Sequence, residues 1–219
     1  LLFGLTSAMS SPPLHSHPVR LNALATAVPD HDIHQAFIDW ATPRLADERI
    51  RALFARMAAR SGIAHRWSVL PPTPAGGSPV APGGFYDSPG LPPTSARMTA
   101  YARHAPDLAM QAVTALGDAF DPAHITHIVV ASCTGFVAPG IDQILARRLG
   151  LAPTVERVLI GFMGCYAGVT ALRTARHIVR SQPDAVVLVV SVELSTLHLS
   201  LADQPEPLLA MLQFSEIGR

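Results

Sequence analysis

The sequence has 219 residues, about half of them hydrophobic, with 16 basic and 16 acidic residues, which is enough for one sizeable globular core or two small ones. Because the charge is balanced, the chain lacks the basic footprint of a nucleic-acid-binding protein, and no apolar run reaches the roughly 18 residues of a membrane helix. Every basic residue is arginine. The absence of lysine excludes Schiff-base chemistry with pyridoxal phosphate and the lysine-containing phosphate loop.

The start of the chain is set apart from the rest. The first methionine is Met9, and we expect residues 1–17 to be a disordered lead or an upstream read-through. This opening lacks the basic flank and the long apolar core of a secretory signal, so a cytoplasmic location is expected. Small molecules or protein subunits are the expected partners, with neither nucleic acid nor membrane among them.

The region before residue 70 predicts one strand and two helices. The strand covers Arg20 to Val28, a short helix covers Asp32 to Ala41, and a longer helix covers Arg44 to Ser61. Gly62 follows the second helix at the position of a C-cap.

A proline-rich segment separates this region from the next helix. Residues 71–93 contain eight prolines and several glycines, a composition that predicts a long surface loop. The helix predicted after it covers Thr99 to Phe120, and Pro106 marks a point where that helix can break.

From residue 125 the pattern alternates between strands and helices, which predicts an α/β fold. The strands are Ile125 to Ser132, Val155 to Phe162 and Ala185 to Val192, and the helices are Ile141 to Leu149 and Tyr166 to Arg180. In the last helix an apolar stripe (Val169, Leu172, Ala175, Val179) and a basic stripe (Arg173, Arg176, Arg180) alternate. We interpret the basic stripe as a solvated face.

Cysteine and histidine usage argues against a resident metal. The only cysteines, Cys133 and Cys165, are too few for a disulfide framework or a cysteine zinc site, and we expect both to be reduced thiols. The nearest approach to a metal motif is the segment 30–34, with two aspartates and two histidines. No further ligand pair accompanies it, so we interpret it as a helix start with Asp32 as the cap.

Cys165 is the residue for which the sequence predicts a catalytic role. It lies in GFMGCYAG, where a predicted strand gives way to a predicted helix. Free backbone N–H groups and the positive end of the helix dipole favour a negatively charged sulfur there, while Gly161, Gly164 and Gly168 give the sulfur clearance. This context favours a nucleophile over a buried cysteine that acts as a small hydrophobic residue.

A second interpretation takes GCYAG as a cysteine version of the α/β-hydrolase nucleophile elbow. An acid and a histidine should then follow in order, and Asp184 or Glu193 with His198 are the candidates. The chain has no HGGG-like oxyanion loop, and His198 comes only five residues after Glu193. This thiol hydrolase stays an alternative.

Several motifs together resemble one known family. The run ASCTGFVAPGIDQILARRLGL, followed by ERVLIGFMGCYAGVTALRTARHIV and VLVVSVELSTLHL, resembles the chalcone-synthase-like type III polyketide synthases over roughly residues 20–214. The resemblance implies the amino-terminal half of a thiolase fold, a layered mixed sheet with helices, in a homodimer. It also implies an acyltransferase that loads an acyl group from a coenzyme A thioester onto Cys165 and extends it by condensation with malonyl-CoA. Coenzyme A thioesters are then substrates, and no permanently bound cofactor is expected.

The resemblance assigns a substrate pocket to positions outside the nucleophile motif. Cys133 and Thr134 match a pocket-lining pair, and a second wall follows the next strand at Glu193, Ser195 and His198. Phe214 aligns with the aromatic gatekeeper between the coenzyme tunnel and the cavity.

The resemblance also implies a coenzyme site and a dimer contact. Arg56 and Arg60 match basic positions at the tunnel mouth, where guanidinium groups suit phosphates. Leu53 stands where the family often keeps another cation. Ala138 replaces the methionine that plant members place in the partner subunit's pocket, which leaves the size of the cavity open.

By the same resemblance, residues 18–214 form one amino-terminal domain, and residues 215–219 are an aberrant or truncated tail. The family's catalytic histidine and asparagine belong to its second half, so we expect this chain alone to be incomplete and to expose apolar surface. A noncatalytic remnant that binds acyl-CoA or dimerises is therefore the second alternative.

Overall fold

The computed structural model describes residues 18–88, 90–201, 203–214 and 216–218. The predicted lead at residues 1–17 lies outside the described residues. Among those described, no helix combines the length and the apolar character needed to cross a membrane.

The first elements form a helical layer with a two-stranded ribbon. Strand β1 (His31–Asp32) pairs antiparallel with β2 (Trp67–Ser68), and helices α1 (His34–Ala41) and α2 (Glu48–Arg60) lie between them in sequence. The Asp47 carboxylate caps α2 by accepting hydrogen bonds from the amides of the second and third helical residues. Both predicted helices are confirmed, with α2 starting later because residues 42–44 form a 3₁₀ turn.

Two local predictions differ from the structure in this layer. The strand predicted from Arg20 to Val28 is wrong, because only Ala27 takes part in a bridge and Leu21 and Leu24 are exposed. No neighbouring strand among the described residues pairs with the rest of that segment, so its backbone has no ladder to join. The prediction of Asp32 as the cap residue is wrong by one position, because Ile33 is the N-cap of α1, although Asp32 Oδ1 accepts a hydrogen bond from the amide of His34 at 3.0 Å.

Helix α3 (Thr94–Thr114) is the longest element and runs through Pro106 without a break. A proline removes one helical hydrogen bond, but α3 is packed along most of its length, with Tyr101, Leu108 and Val113 almost fully buried. Its bounds lie five or six residues earlier than predicted. The predicted loop is confirmed, because no helix or regular strand occurs in residues 71–88 or 90–93.

The centre of the fold is a four-stranded sheet. Strand β3 (His127–Ala131) lies parallel to both β4 (Glu156–Ile160) and β5 (Val187–Leu194), and β6 (Glu216–Gly218) adds to β5 antiparallel. The order is therefore β4-β3-β5-β6. Helices α4 (Ile141–Arg148) and α5 (Tyr166–Ser181) follow β3 and β4, and α6 (Pro205–Leu212) precedes β6, as in a mixed α/β fold.

The two faces of the sheet are covered unequally. One face packs against α3 and α4 in a large core that includes Ile128, Val130 and Leu194, whereas the other face holds a small cluster of β3 and α5 residues. Every side chain of β3 is buried, as its continuous apolar run predicts. In β5 buried and half-buried residues alternate, because α5 covers its second face only thinly.

Much apolar surface is exposed beside α5 and β4. Phe162 is 86% exposed, Leu172 57% and Val169 48%, so two residues of the apolar stripe in α5 contact little of the described fold. The buried residues of α5 are Ala167 and Ala171, while the basic stripe is solvated, as predicted. Exposed apolar side chains on two elements in mutual contact are typical of a region that another protein surface covers.

Candidate active site

Parallel strands bring the predicted site residues to one edge of the sheet. Cys133 and Thr134 follow β3, Cys165 follows β4, and the residues from Ser195 to His198 follow β5 as a 3₁₀ turn. The carboxyl ends of neighbouring parallel strands meet at the same edge, where ligands of open α/β sheets usually bind. Residues far apart in sequence therefore lie in one place.

Cys165 lies immediately before α5 and is exposed to solvent. The connection from β4 is a tight turn, in which Phe162 and Gly164 have φ angles of 58° and 56°. Because the turn is left-handed at Gly164, the chain reverses into the helix with the thiol outside the core. The strand-to-helix junction predicted from the sequence is confirmed.

Cys133 connects this turn to the end of β3. Its Sγ lies 3.5 Å from the carbonyl oxygen of Gly164, to which it donates a hydrogen bond, and its side chain is half-buried. The residue that precedes the nucleophile candidate is thus in direct contact with Cys133. The two thiols belong to one site with different exposures.

Glu193 holds the segment after β3 by its carboxylate. Both carboxylate oxygens accept from the amide of Cys133 at 3.0 and 3.1 Å, and Oε2 accepts from the Thr134 hydroxyl at 2.7 Å. Burial raises the pKa of Glu193, while the hydrogen bonds from Thr134 and Cys133 act in the opposite direction. Glu193 therefore acts as a clamp between β5 and the segment after β3, and it lines neither of the two cavities described below.

The Thr134 hydroxyl both donates and accepts a hydrogen bond. It donates to Glu193 and accepts from the amide of Leu194 at 2.8 Å. The carbonyl oxygen of Thr134 lies 2.6 Å from Nε2 of His198. A carbonyl can only accept, so Nε2 of His198 carries a proton and donates this hydrogen bond.

A cavity of about 330 Å³ lies beside this network. Five of the predicted residues line it: Cys133, Thr134, Ser195, His198 and Phe214. Its other walls come from α1, from residues 78–86 of the proline-rich loop, and from the end of α6. Its volume falls within the range typical of small-molecule sites.

A second cavity, of about 500 Å³, lies between α2 and α6 and contains the two predicted arginines. Arg56 and Arg60 are exposed, and neither forms an ion pair with a carboxylate among the described residues. Leu53, Leu209 and Leu212 form its apolar part. Two guanidinium groups beside apolar side chains suit an anionic group attached to an apolar or aromatic one.

The end of α6 separates the two cavities. Gln213 lines the cavity with the arginines, and its neighbour Phe214 lines the cavity with Cys133. The backbone at Phe214 is held by Arg66, whose Nε donates to the Phe214 carbonyl oxygen at 2.7 Å. Phe214 thus lines the cavity with Cys133, next in sequence to a residue that lines the other cavity.

Some predicted residues are not brought together. Ala138 is exposed in the loop after β3 and lines neither cavity. For the thiol hydrolase, Asp184 precedes β5 while His198 follows it, which separates them by about the 25 Å length of an eight-residue strand. His198 binds a backbone carbonyl, and no hydrogen bond among the described residues joins it to a carboxylate or to Cys165. The acid–histidine–cysteine arrangement of that alternative is not formed.

The metal-like segment 30–34 has a structural role. Asp32 accepts from the amides of His34 and Arg66 and contacts Nδ1 of His65 at 2.6 Å, which ties α1 to β2. Within the described part of the chain, no group of three or more His, Cys, Asp or Glu side chains could hold a metal ion.

Sequence reasoning missed the cavity walls from α1 and from the proline-rich loop. The prolines and glycines of residues 71–93 indicate a surface loop, yet Tyr86 is 7% exposed and its hydroxyl donates to the Thr196 carbonyl oxygen. The one signal available was the pair of aromatic residues, Phe85 and Tyr86, inside an otherwise small-residue segment. Large aromatic side chains seldom occur in a loop that packs on nothing.

Comparison with known proteins identifies the same region. The family model described as "Chalcone and stilbene synthases, N-terminal domain" matches residues 15–209. The alpha-pyrone synthesis polyketide synthase-like Pks18 of Mycobacterium tuberculosis is 39% identical over 109 residues, which is 49% of this chain and 28% of that protein. Probable polyketide synthase 1 of Dictyostelium discoideum is 41% identical over 113 residues, or 51% of this chain and 4% of that protein.

Solved structures agree on the fold. The C-terminal type III polyketide synthase domain of Steely1, a type I/III hybrid from Dictyostelium, superposes with a TM-score of 0.77 at 28% identity. The superposition covers 90% of this chain and 53% of that domain. The chain thus spans about half of the solved domain and less than a third of each curated relative named above. By its matching residues and its mixed α/β fold, the chain belongs to the chalcone and stilbene synthase family of type III polyketide synthases, of which it represents the amino-terminal domain.

Proposed function

We propose that this domain accepts an acyl group from a coenzyme A thioester onto the sulfur of Cys165. The observation that carries the proposal is the position of Cys165, exposed at the start of α5 and joined through Gly164 and Cys133 to a cavity of about 330 Å³. In this step the Cys165 thiolate attacks the thioester carbonyl carbon. A new C–S bond forms, the bond to the coenzyme sulfur breaks, and coenzyme A leaves as the thiol after taking up a proton.

Condensation with malonyl-CoA is the second step proposed for the synthase as a whole. Loss of carbon dioxide from the malonyl group generates a carbanion, which attacks the acyl carbonyl carbon on Cys165 and releases the thiolate. The extended chain then remains on the coenzyme. Holding the acyl group covalently beside the incoming carbanion makes this carbon–carbon bond formation effectively intramolecular.

The second cavity is the proposed coenzyme site. Neither Arg56 nor Arg60 forms an ion pair with a carboxylate in the part of the chain that the structure describes, so both would be available to bind phosphate oxygens, while Phe214 would separate that cavity from the acyl cavity. The proposal places the coenzyme on the α2–α6 side and the acyl group on the Cys133 side. Leu53 lines this cavity at the position where the resemblance implies another cation, so two arginines would bind the coenzyme there.

The exposed apolar surface supports a proposed assembly role. Val158 and Leu159 of the edge strand β4, together with Phe162, Val169 and Leu172, would be covered in the working synthase by a second copy or by a further domain. A homodimer is our proposal for the working state.

Intact-protein mass spectrometry after incubation with octanoyl-CoA tests the loading step. We expect one octanoyl adduct on the 219-residue chain, its loss in Cys165→Ala and its retention in Cys133→Ala. An adduct that persists in Cys165→Ala would refute the assignment of the nucleophile. A soluble, folded chain that gives no adduct would favour the noncatalytic acyl-CoA-binding role instead.

A further inference from the structure

The turn that carries Cys165 contains a residue in a costly backbone conformation. Phe162 has a φ angle of 58°, in the left-handed region that bulky residues rarely adopt because the Cβ crowds the backbone. Such a residue persists only where its surroundings hold it. The Phe162 side chain is exposed, so the core does not supply that support. A contact at the surface is needed instead.

A stack of two aromatic rings supplies this contact. The Phe162 ring lies on the ring of Phe136, with centroids 4.4 Å apart and planes inclined by 20°. The Phe136 ring also lies against the start of the turn, since a Cβ at Gly161 would lie 3.1 Å from its Cζ. An aromatic pair contributes more than the area that it buries. We call Phe136 and Phe162 the aromatic clasp.

The Phe136 side of the aromatic clasp is anchored on α3. The amide of Phe136 donates a hydrogen bond to Sδ of Met98 at 3.4 Å. The preceding residue, Gly135, approaches the same helix so closely that a Cβ there would lie 2.2 Å from the buried ring of Tyr101. The clasp therefore connects the turn before α5 to a buried helix, through the segment after β3.

A second contact joins the same two segments next to Cys165. The carbonyl oxygen of Gly164 accepts from Sγ of Cys133 at 3.5 Å and from the amide of Ala167, in the first turn of α5, at 3.0 Å. Gly164 also has a positive φ angle, which a glycine adopts without steric cost. Of these two left-handed residues, Phe162 is the one that needs support from a side-chain contact.

We propose that Phe136 and Phe162 are positioning residues for Cys165. Their stack holds Phe162 in the left-handed conformation, and this conformation fixes the path of the turn that places the sulfur at the start of α5. There the free backbone amides of the helix favour a negatively charged sulfur. The inference rests on the proposed function, because it concerns how the nucleophile of that reaction is held.

Alkylation of Cys165 by iodoacetamide tests this inference, because it measures the reactivity of the thiol without coenzyme A. Tryptic peptides separate Cys165 from Cys133, since Arg148 and Arg157 lie between them, and mass spectrometry follows each peptide. Phe162→Ala removes the ring and keeps a Cβ, so the initial rate at Cys165 should fall at least fivefold at pH 7. Fivefold corresponds to about 1 kcal/mol, the lower end of the cost of a left-handed residue other than glycine.

A glycine at position 162 separates the positioning role from the mere loss of a ring. Glycine adopts positive φ about as readily as negative φ, so Phe162→Gly should keep the rate within about twofold of wild type although the stack is lost. Phe136→Ala should slow alkylation as Phe162→Ala does, and adding Phe162→Gly to it should restore the rate. Phe162→Tyr keeps the stack and should change nothing.

Phe85→Ala is the matched control. It breaks another aromatic pair, that of Phe85 with Tyr86 in the proline-rich loop, and leaves the turn before α5 untouched. The rate at Cys165 should therefore stay at the wild-type value. Far-ultraviolet circular dichroism confirms that each variant is folded, and the comparison of alanine with glycine at the exposed position 162 decides the question should Phe136→Ala not fold.

The outcomes separate this inference from the loading step. Equal rates for Phe162→Ala and Phe162→Gly, whether slow or fast, would overturn the inference, and so would a wild-type rate in Phe136→Ala. Slow alkylation that glycine restores, with no octanoyl adduct on wild-type Cys165, would keep the positioning role and reject acyl loading. An octanoyl adduct on Cys165 with no effect of the clasp variants on alkylation would do the opposite.

Discussion

The hydroxyl of Thr134 is the polar group on which the geometry of the site most depends, and Thr134→Val removes it with little change of shape. The hydroxyl bridges Glu193 and the amide of Leu194, a residue with no exposed surface. A valine leaves the half-buried Glu193 carboxylate without one of its donors, and the N–H of the buried Leu194 without its side-chain acceptor. Hydrogen bonds to charged groups contribute about 1.5–3 kcal/mol, and a buried unsatisfied donor costs about 1–3 kcal/mol.

Because the two losses share one atom and the surroundings relax, we expect Thr134→Val to lower the free energy of unfolding by roughly 2–4 kcal/mol. Thr134→Ser keeps the hydroxyl and removes only a methyl group, so it should cost about 1 kcal/mol. Urea denaturation followed by circular dichroism measures both changes. A shift of the midpoint with an unchanged slope would indicate a change in stability alone.

A double-mutant cycle with Glu193→Gln isolates the contact itself. The coupling energy between the two positions should be about 1 kcal/mol or more, since they are joined by a 2.7 Å hydrogen bond. A cost below about 1 kcal/mol for Thr134→Val, or a cost equal to that of Thr134→Ser, would refute the clamp and leave Thr134 as an ordinary turn residue.

Three further changes test the packing and charge of the same region. A Cβ at Gly135 would lie 2.2 Å from the buried Tyr101 ring, so Gly135→Ala should lower the free energy of unfolding by about 1–3 kcal/mol in urea denaturation. A Cβ at Gly168 would lie 3.8 Å from its nearest neighbour, so Gly168→Ala should instead stabilise its helix. Equal effects of the two substitutions would contradict this packing. Burial raises the pKa of Tyr101 to about 12, and its hydroxyl shares a 2.6 Å hydrogen bond with Ser132. Tyr101→Phe should therefore lower the free energy of unfolding by about 1–2 kcal/mol at every pH from 5 to 9. A loss that changes across that range would argue against a neutral phenol. Burial raises the pKa of Glu193 above its ordinary value of 4.5, so the folded state binds this proton more tightly than the unfolded state does. Relative to Glu193→Gln, the free energy of unfolding of the wild type should therefore be highest below pH 4.5 and fall as the pH rises through the raised pKa. A free energy of unfolding that rises over this range would show that the pKa is lowered instead.

Local signals in the sequence determined the central part of the fold. The continuous apolar run of β3 required burial on both faces, and the alternation of apolar strands with amphipathic helices required a mainly parallel sheet. Parallel strands then placed Cys165 and the residues after β3 and β5 at one edge. The strand-to-helix position of Cys165 followed from glycine spacing and the flanking patterns, because both are properties of a few neighbouring residues.

Only the tertiary structure decided how the site is built around that cysteine. The role of Glu193 as a clamp depends on where its carboxylate points, and the hydrogen bond of His198 to Thr134 joins residues 64 positions apart. Short-range patterns carry no information about such directions. The proline-rich loop had no periodic signal, so its contribution to the cavity through Val80 and Tyr86 could not be predicted. The strand predicted at residues 20–28 was wrong for a related reason, since a strand forms only where a partner strand supplies the other half of its hydrogen bonds.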